Sequence, residues 1–251
     1  MQIDDFLNQI KFSEKYDDND YREINHLIEF TKSISYLTYQ SIYLIDYYKK
    51  GFLFVSNNPI FLCGKSPSKV LEDGYFHYFE NVPEDDLKML LEINDASHKF
   101  YESLPNEERL NYYISYNFHL KQPVGKPVLI NHKLKPLLLD KNQNIWIAIC
   151  FVSISSQKRS GNVTFKSHNS IVQYNYDFND KKWEVIKFIE LKKREKDILL
   201  YSAQGYTMEQ IADWLFISVD TIKYYKRSIF NKLNVKSISE ALIRALELDM
   251  L

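Results

Sequence analysis

The sequence predicts an α+β chain in which a strand-rich part precedes an all-α part, and three observations predict it. Aromatic residues reach 15% of the 251 positions, mostly Tyr and Phe, a usage that suits sheets. Between residues 41 and 155, short β-like runs alternate with turn residues and a few helical stretches. From Leu191 onward the apolar residues instead recur at helical spacing, with capping residues ahead of them. A composition of 45% hydrophobic and 26% charged residues is ordinary for a soluble globular chain.

Residues 1–20 are polar and acidic and read as a short helix followed by a loop. The Asp4–Asp5 pair resembles the metal pocket of a phosphate-receiving domain. No repeated strand-helix pattern follows it, so a solvated N-terminal segment is the better reading. In residues 21–39, Ile24, Leu27, Ile28, Ile34 and Leu37 fall roughly on one helical face. That helix either packs on the next domain or serves as a dimerisation helix beside it. Residues 41–46 (SIYLID) and 51–56 (GFLFVS) are short strands joined by a turn at Lys49-Lys50-Gly51.

A short apolar stretch runs to Gly64, and Ser66-Pro67-Ser68 opens a helix with Pro in its first turn. Residues 81–104 form a longer helix through Leu87, Leu90 and Leu91, with Glu84, Asp85 and Asp86 at its positive end. Three β-rich runs follow at 112–120, 127–139 and 145–155. In residues 162–189, Val172, Tyr174, Tyr176 and Phe178 alternate with polar residues, Asn179-Asp180 turn, and Trp183 and Val185 alternate again. This is a β-hairpin that couples the two parts rather than a loose linker.

The most informative stretch runs from Thr207 to Lys226, TMEQIADWLFISVDTIKYYK. Ile211, Ala212 and Leu215 make the apolar face of a short helix, Phe216 and Ile217 turn, and Ser218 caps a second helix. Ile222, Ile229 and Leu233 line the inner side of that second helix. Lys223, Tyr224, Arg227 and Asn231 lie on its other side, all able to hydrogen-bond. Two short helices joined by such a turn describe a helix-turn-helix.

Leu191-Lys-Lys-Arg194-Glu195, Ile198-Leu199, Ala203-x-Gly205, Ile211-Ala212, Ser218-x-x-Thr221-Ile222-Lys223 and Lys232-Leu233-x-Val235 together resemble the LuxR/GerE-type DNA-binding domain. The match runs over nearly all of residues 191–251. It implies four helices, the third entering the major groove, and DNA bound as a dimer. By the same resemblance Thr221 and Lys226 contact phosphates, Lys223, Tyr224 and Arg227 approach base edges, and Ser218 and Asn231 count among the DNA-binding residues. Leu242, Ala245 and Leu246 of the last helix supply the dimer contact. Two positions depart from the family: Lys192 stands where a Ser or Thr cap is common, a loss of roughly 1 kcal/mol. Tyr225 stands where the family often has His.

The strand-helix-strand order from 41 to 157 is similar to that of a PAS domain. YLIDYYKKGFLFVSNN resembles its first hairpin, GKSPSKVL its G-x-S-P-x-x-L helix, and NVPEDDLKML its H-P-D-D-like helix start. That resemblance implies a five-stranded antiparallel sheet, one face of which holds a small-molecule ligand or a protein partner. The expected plan is therefore an N-terminal helical flank (1–40), a PAS-like domain (41–157), a β-hairpin connector (158–190) and a four-helix LuxR-type domain (191–251).

The formal net charge is −1, divided into +2 for residues 191–251 and −3 for the rest. That is a modest field for a DNA binder, so the clustering of Lys223, Lys226, Arg227 and Lys232 matters more than the total. Two cysteines, Cys63 and Cys150, show no CxxC spacing, which argues against a disulfide framework and a zinc site. No signal peptide or spanning segment is apparent, and a cytoplasmic protein is expected.

HExxH, GxSxG and phosphate-cradling glycine loops are absent, so no catalytic residue or enzyme activity is expected. The histidines at 26, 77, 98, 119, 132 and 168 are scattered. His77 and His119 are the first candidates for a haem ligand, although a structural role fits both better. Cys63 lacks the N-C-R-F-L-Q context of light-sensing flavin domains and reads as a small core residue. The run Tyr75-Phe76-His77-Tyr78-Phe79 reads as core rather than pocket. The expected function is a DNA-binding transcriptional regulator governed by its PAS-like domain. The alternative is a protein-interaction adaptor with weak or vestigial DNA binding.

Overall fold

The computed structural model describes residue 12 and residues 15–167, 172–187 and 190–251. Asp4, Asp5 and His168 lie outside the described residues. The chain divides into two compact units, one of Met1–Ile154 with Arg159–Ile186, the other of Ser155–Lys158 with Lys187–Leu251.

In the first unit, helix α1 (Asp18–Ser35) begins with a reciprocal cap. The Asp17 carboxylate accepts from the Asn19 and Asp20 N–H groups, and Asp20 accepts from the Asp17 N–H. Ile24 and Thr31 are buried, whereas Leu37 lies beyond the helix end and is exposed. Strands β1 (Ser41–Asp46) and β2 (Gly51–Val55) form the expected hairpin. Every residue of β1 is buried, as befits a strand paired on both edges and covered on both faces.

Three short helices follow: α2 (Pro59–Leu62), α3 (Pro67–Asp73) and α4 (Phe76–Asn81). Asn58 and Ser66 cap the first two with side-chain oxygens, each ahead of a Pro in the first turn. Helix α5 (Glu84–Ser103) is the longest and carries three acids in its first turn. A 3-10 turn (Asn106–Asn111) leads to β3 (Tyr112–Leu120), β4 (Val128–Leu139) and β5 (Ile145–Ile154).

The expected five strands are present in the order β2-β1-β5-β4-β3, but the sheet does not stop there. Strand β6 (Gly161–Ser167) pairs antiparallel with β3, and β7 (Val172–Asp177) and β8 (Lys182–Lys187) extend the sheet to eight. The 158–190 segment, expected as a connector, thus contributes three strands to one sheet. Packing on α5 accounts for this. The Trp183 indole donates to the Ala96 carbonyl (3.3 Å) and the Tyr176 hydroxyl to Glu92 (3.1 Å). Phe100 meets Phe165, Tyr174 and Trp183 at ring-centroid distances of 4.7, 4.8 and 5.1 Å. Residues 161–167 alternate polar and apolar only from Asn162 to Lys166, a run that the sequence reading did not assign, and their burial does not follow the alternation. Thr164 and Lys166 are buried along with Val163 and Phe165.

The second unit contains helices α6 (Lys193–Ala203), α7 (Met208–Leu215), α8 (Val219–Leu233) and α9 (Ile238–Glu247). Its core is aliphatic: Leu191, Ile198, Leu199, Ile211, Ile222, Ile229 and Leu233 are buried together. Among the described residues, no helix is long and apolar enough to cross a membrane.

Candidate functional site

The helix-turn-helix is built from local signals that agree with one another. Thr207 caps α7 reciprocally with Gln210, through N–H to side-chain bonds of 2.9 and 3.3 Å. Gly205, at φ 90°, makes the turn ahead of it, in a region that side chains other than glycine's rarely enter. Ile211, Ala212 and Leu215 bury the inner face of α7. The helix ends at Phe216, which adopts φ 54° and is 94% exposed. Neither burial nor backbone preference accounts for a phenylalanine there.

Ser218 then caps α8, accepting from the Thr221 N–H at 3.1 Å, and the two hydroxyls lie 2.8 Å apart. On α8, Ile222, Ile229 and Leu233 are buried and Tyr225 packs beside them half-buried. Tyr225 therefore uses much of its ring inside the unit. Lys223, Tyr224, Arg227 and Asn231 are exposed, and Lys226 and Thr221 half-exposed. Spacing by one turn and two turns sets Lys223, Arg227 and Asn231 in one row. Lys223 forms an exposed ion pair with Asp220 at 2.9 Å, which holds the Asp220 carboxyl below its usual range. Exposed helix pairs of this kind are weak and readily exchanged for another partner.

Lys232 is committed elsewhere. Its ammonium lies 2.7 Å from Glu195, whose side chain is 3% exposed, and 3.1 Å from the Glu190 carbonyl. Glu195 also accepts from the Ser228 hydroxyl and the Lys192 N–H, each at 2.8 Å. Burial raises the Glu195 pKa, but the Lys232, Lys192 N–H and Ser228 bonds outweigh it and leave the carboxyl below its usual value. Glu195 thereby restores half of the cap that Lys192 cannot provide with its own side chain.

On α9 the three residues expected at a dimer contact separate. Ala245 is fully buried in this unit's own core, Leu242 packs against that core partly buried, and Leu246 is 56% exposed.

Residues 190–245 match the family described as bacterial regulatory proteins, luxR family. The C-terminal unit carries a LuxR-family helix-turn-helix domain. Oxygen regulatory protein NreC of Staphylococcus carnosus (strain TM300) is 44% identical over 61 residues, which are 24% of this chain and 28% of that protein. NreC of Staphylococcus aureus (strain JH9) is 43% identical over the same length and shares. The chain thus spans 28% of the length of these relatives. Among solved structures, the chain is similar to a Vibrio cholerae VqmA dimer, with 15% identity, 88% of this chain and 87% of that one covered, and a TM-score of 0.34. It is also similar to the N-terminal domain of a Marinobacter aquaeolei diguanylate cyclase with PAS/PAC sensor, with 10% identity, 46% and 94% covered, and a TM-score of 0.36.

The sheet unit holds a second candidate site, a cavity of about 90 Å³ between α5 and the strands. Sequence reasoning singled out none of its polar residues as a group. His132 on β4 faces it, with Ser97 and Tyr101 from α5. Polar Asn94, Ser97 and Tyr101 recur at helical spacing on a side of α5 that also presents Leu90, and that interruption was the available signal. The earlier candidates are accounted for differently. His77 is fully buried, with one nitrogen on the Phe61 carbonyl (2.7 Å) and the other on Asn81 (3.2 Å); burial pushes its pKa down. His119 pairs with Asp86 at 2.8 Å. Cys63 is buried and free, and burial pushes its thiol up to about 11. Tyr75 and Tyr78 belong both to the core and to the cavity wall, so that run serves as core and pocket together.

Proposed function

We propose that this chain is a sequence-specific transcriptional regulator of the cytoplasm, not an enzyme. In this reading it binds double-stranded DNA as a homodimer, and its PAS-like unit responds to a small molecule or partner. The observation that carries the reading is the two-sided α8: an aliphatic inner row and an outer row of Lys223, Tyr224, Arg227 and Asn231 in the solvent. Ser218 and Thr221 present the N-terminus of that helix, with its free N–H groups, to a phosphate. Lys226 adds a phosphate contact. Arg227 reads a base edge, its fork matching guanine O6 and N7, beside Lys223 and Tyr224, with Asn231 at the row's far end. Leu246 with the rim of Leu242 forms the contact between two copies, supported from beneath by Ala245.

Two such helices would address half-sites about one helical turn apart. A ligand that binds one arrangement of the dimer more tightly than another shifts operator affinity by that difference in binding free energy. The test is titration of the full chain with an operator selected from random duplexes, repeated across salt concentrations. Arg227→Ala is expected to cost about 1–3 kcal/mol and to relax specificity at one base pair. Lys226→Ala is expected to weaken all sequences alike and to reduce the salt slope by about 1. Unchanged binding by Arg227→Ala would remove α8 as the reading face. Failure of the wild-type chain to select any sequence, with a protein partner retained, would favour the adaptor.

A further inference from the structure

Four of the ten Lys and Arg of residues 191–251 stand within five positions: Lys192, Lys193, Arg194 and Lys196. They occupy the cap and first turn of α6, and none takes part in an ion pair among the described residues. Lys192, Lys193 and Arg194 are exposed and Lys196 half-exposed. Glu195, the acid inside the run, is buried and already taken by Lys232. With Glu190 and Asp197 on either side counted, four cations less two acids leave a local charge of +2.

This arrangement is unfavourable within the unit itself. The N-terminus of a helix carries partial positive charge, which acids stabilise and cations oppose. Lys192 and Lys196 stand four residues apart, a spacing at which like charges repel on a helix. Solvent only screens such a cluster, whereas a polyanion neutralises it.

The place of the cluster says which polyanion. Glu195, in the same first turn, accepts from the Ser228 hydroxyl (2.8 Å) and pairs with Lys232 (2.7 Å). Helix α6 therefore begins against the flank of α8 at those two residues. Ser228 and Lys232 directly follow Arg227 and Asn231, the far end of the outer row. Leu191, 1% exposed, pins the entering chain in the core. The cluster is thus fixed beside the end of α8 opposite to Ser218 and Thr221. Four long side chains spread over more than one helical turn suit a line of phosphates rather than a single anion.

We propose that Lys192, Lys193, Arg194 and Lys196 form a second phosphate-binding site, which holds the DNA backbone beyond the bases that α8 reads. The site rests on the reading of α8 as the DNA-reading helix and extends the interface to a second helix. Contacts of this kind carry no base information; they add affinity and fix the register of the domain on the duplex.

The test uses the full chain, its selected operator, and Lys192→Gln combined with Lys193→Gln. Two lost phosphate contacts are expected to flatten the slope of log affinity against log salt by about 1.8. The wild-type advantage should therefore widen about tenfold from about 200 mM to about 50 mM salt, with the order of preferred sequences unchanged. Operators shortened stepwise from each end locate the contact: the wild type should lose affinity at a step that leaves the variant unaffected. Because cations oppose the helix dipole, the variant should unfold no earlier than the wild type. Lys126→Gln combined with Lys181→Gln removes the same charge from exposed positions of the sheet unit and should leave the slope unchanged. An unchanged slope in the first variant would overturn the proposal. So would an equal flattening in the second, which would mark a diffuse field, or equal losses by wild type and first variant at every shortening. A lower unfolding temperature for the first variant would mark the two lysines as structural and overturn it too. Each of these results leaves the regulator standing, whereas a wild-type chain that selects no operator overturns that reading and this site with it.

Discussion

The two units solve burial in opposite ways. The helical unit keeps its interior aliphatic and admits two buried carboxylates, Glu195 and Glu247, each satisfied by three donors. The sheet unit buries tyrosines and histidines, links Tyr78, Tyr43 and His132 by hydrogen bonds, and leaves three polar atoms open around a cavity. An interior of the first kind specifies a rigid frame for side chains that work on the outside. An interior of the second kind holds polar groups ready for something that enters. The difference shows where each unit's recognition chemistry lies: outside in one, inside in the other.

The sharpest way to break this comparison is at Glu195. Lys232→Met removes its charged partner and is expected to destabilise the helical unit at pH 7 by about 3 kcal/mol, the low end for loss of one member of a buried pair, because the Lys232 side chain is 29% exposed. Glu195 has a lowered folded pKa, so its contribution is full above the unfolded value of about 4.3 and is lost as pH falls through the folded one. Chemical denaturation at pH 7 and pH 3.5 should therefore find the Lys232→Met penalty large at the first pH and smaller at the second. An equal penalty at both would show that packing of the Lys232 stem, rather than its charge, holds the unit.

Acid sharpens the contrast further. In the sheet unit His132 titrates at about 3 when folded, against about 6.5 in the unfolded chain. The unfolded state takes up the proton first, so this stability is complete above pH ~6.5 and declines as pH falls from there toward 3. The slope is about 1.4 kcal/mol per pH unit for this one group. Residues 187–251 contain no histidine. Unfolding followed by hydrogen exchange, read separately for β4 in the sheet unit and α8 in the helical unit, should show the sheet unit weakening first. Simultaneous loss of both units between pH 6.5 and 5 would contradict this.

The smallest expected effect lies at the turn between α7 and α8. Phe216 pays for a left-handed backbone with no burial in return. Phe216→Gly is expected to raise the stability of the helical unit by about 1 kcal/mol, read as a higher denaturation midpoint. A loss of stability would mean that the ring makes contacts that its exposure does not reveal.

Much of the helical unit was legible because its signals are local. Thr207, Gly205 and Ser218 act within four residues of themselves, and the inner row of α8 follows from a period that any helix obeys. The reading face was legible for the same reason. The role of Lys232 was not, since its partner Glu195 lies 37 residues away and is brought near only when α6 packs on α8. Ala245 likewise shared a helical face with Leu246, and only packing decided which of the two would be buried.

In the first unit, the sequence alone determined the strands at 112–120, 128–139 and 145–154 and the capped starts of its short helices, because alternation and caps are properties of a few neighbouring residues. Tertiary structure decided the rest. The sheet grew to eight strands because β6 found its partner in β3, the 49 residues from Ser115 to its partner Thr164 being no guide to pairing, and because Phe100 and Ala96 gave the last hairpin a surface to cover. The cavity came from the same source. Ser97 and Tyr101 stand one turn apart on a helix, but His132 joins them from a strand, and an unpaired atom exists only once every other neighbour is in place.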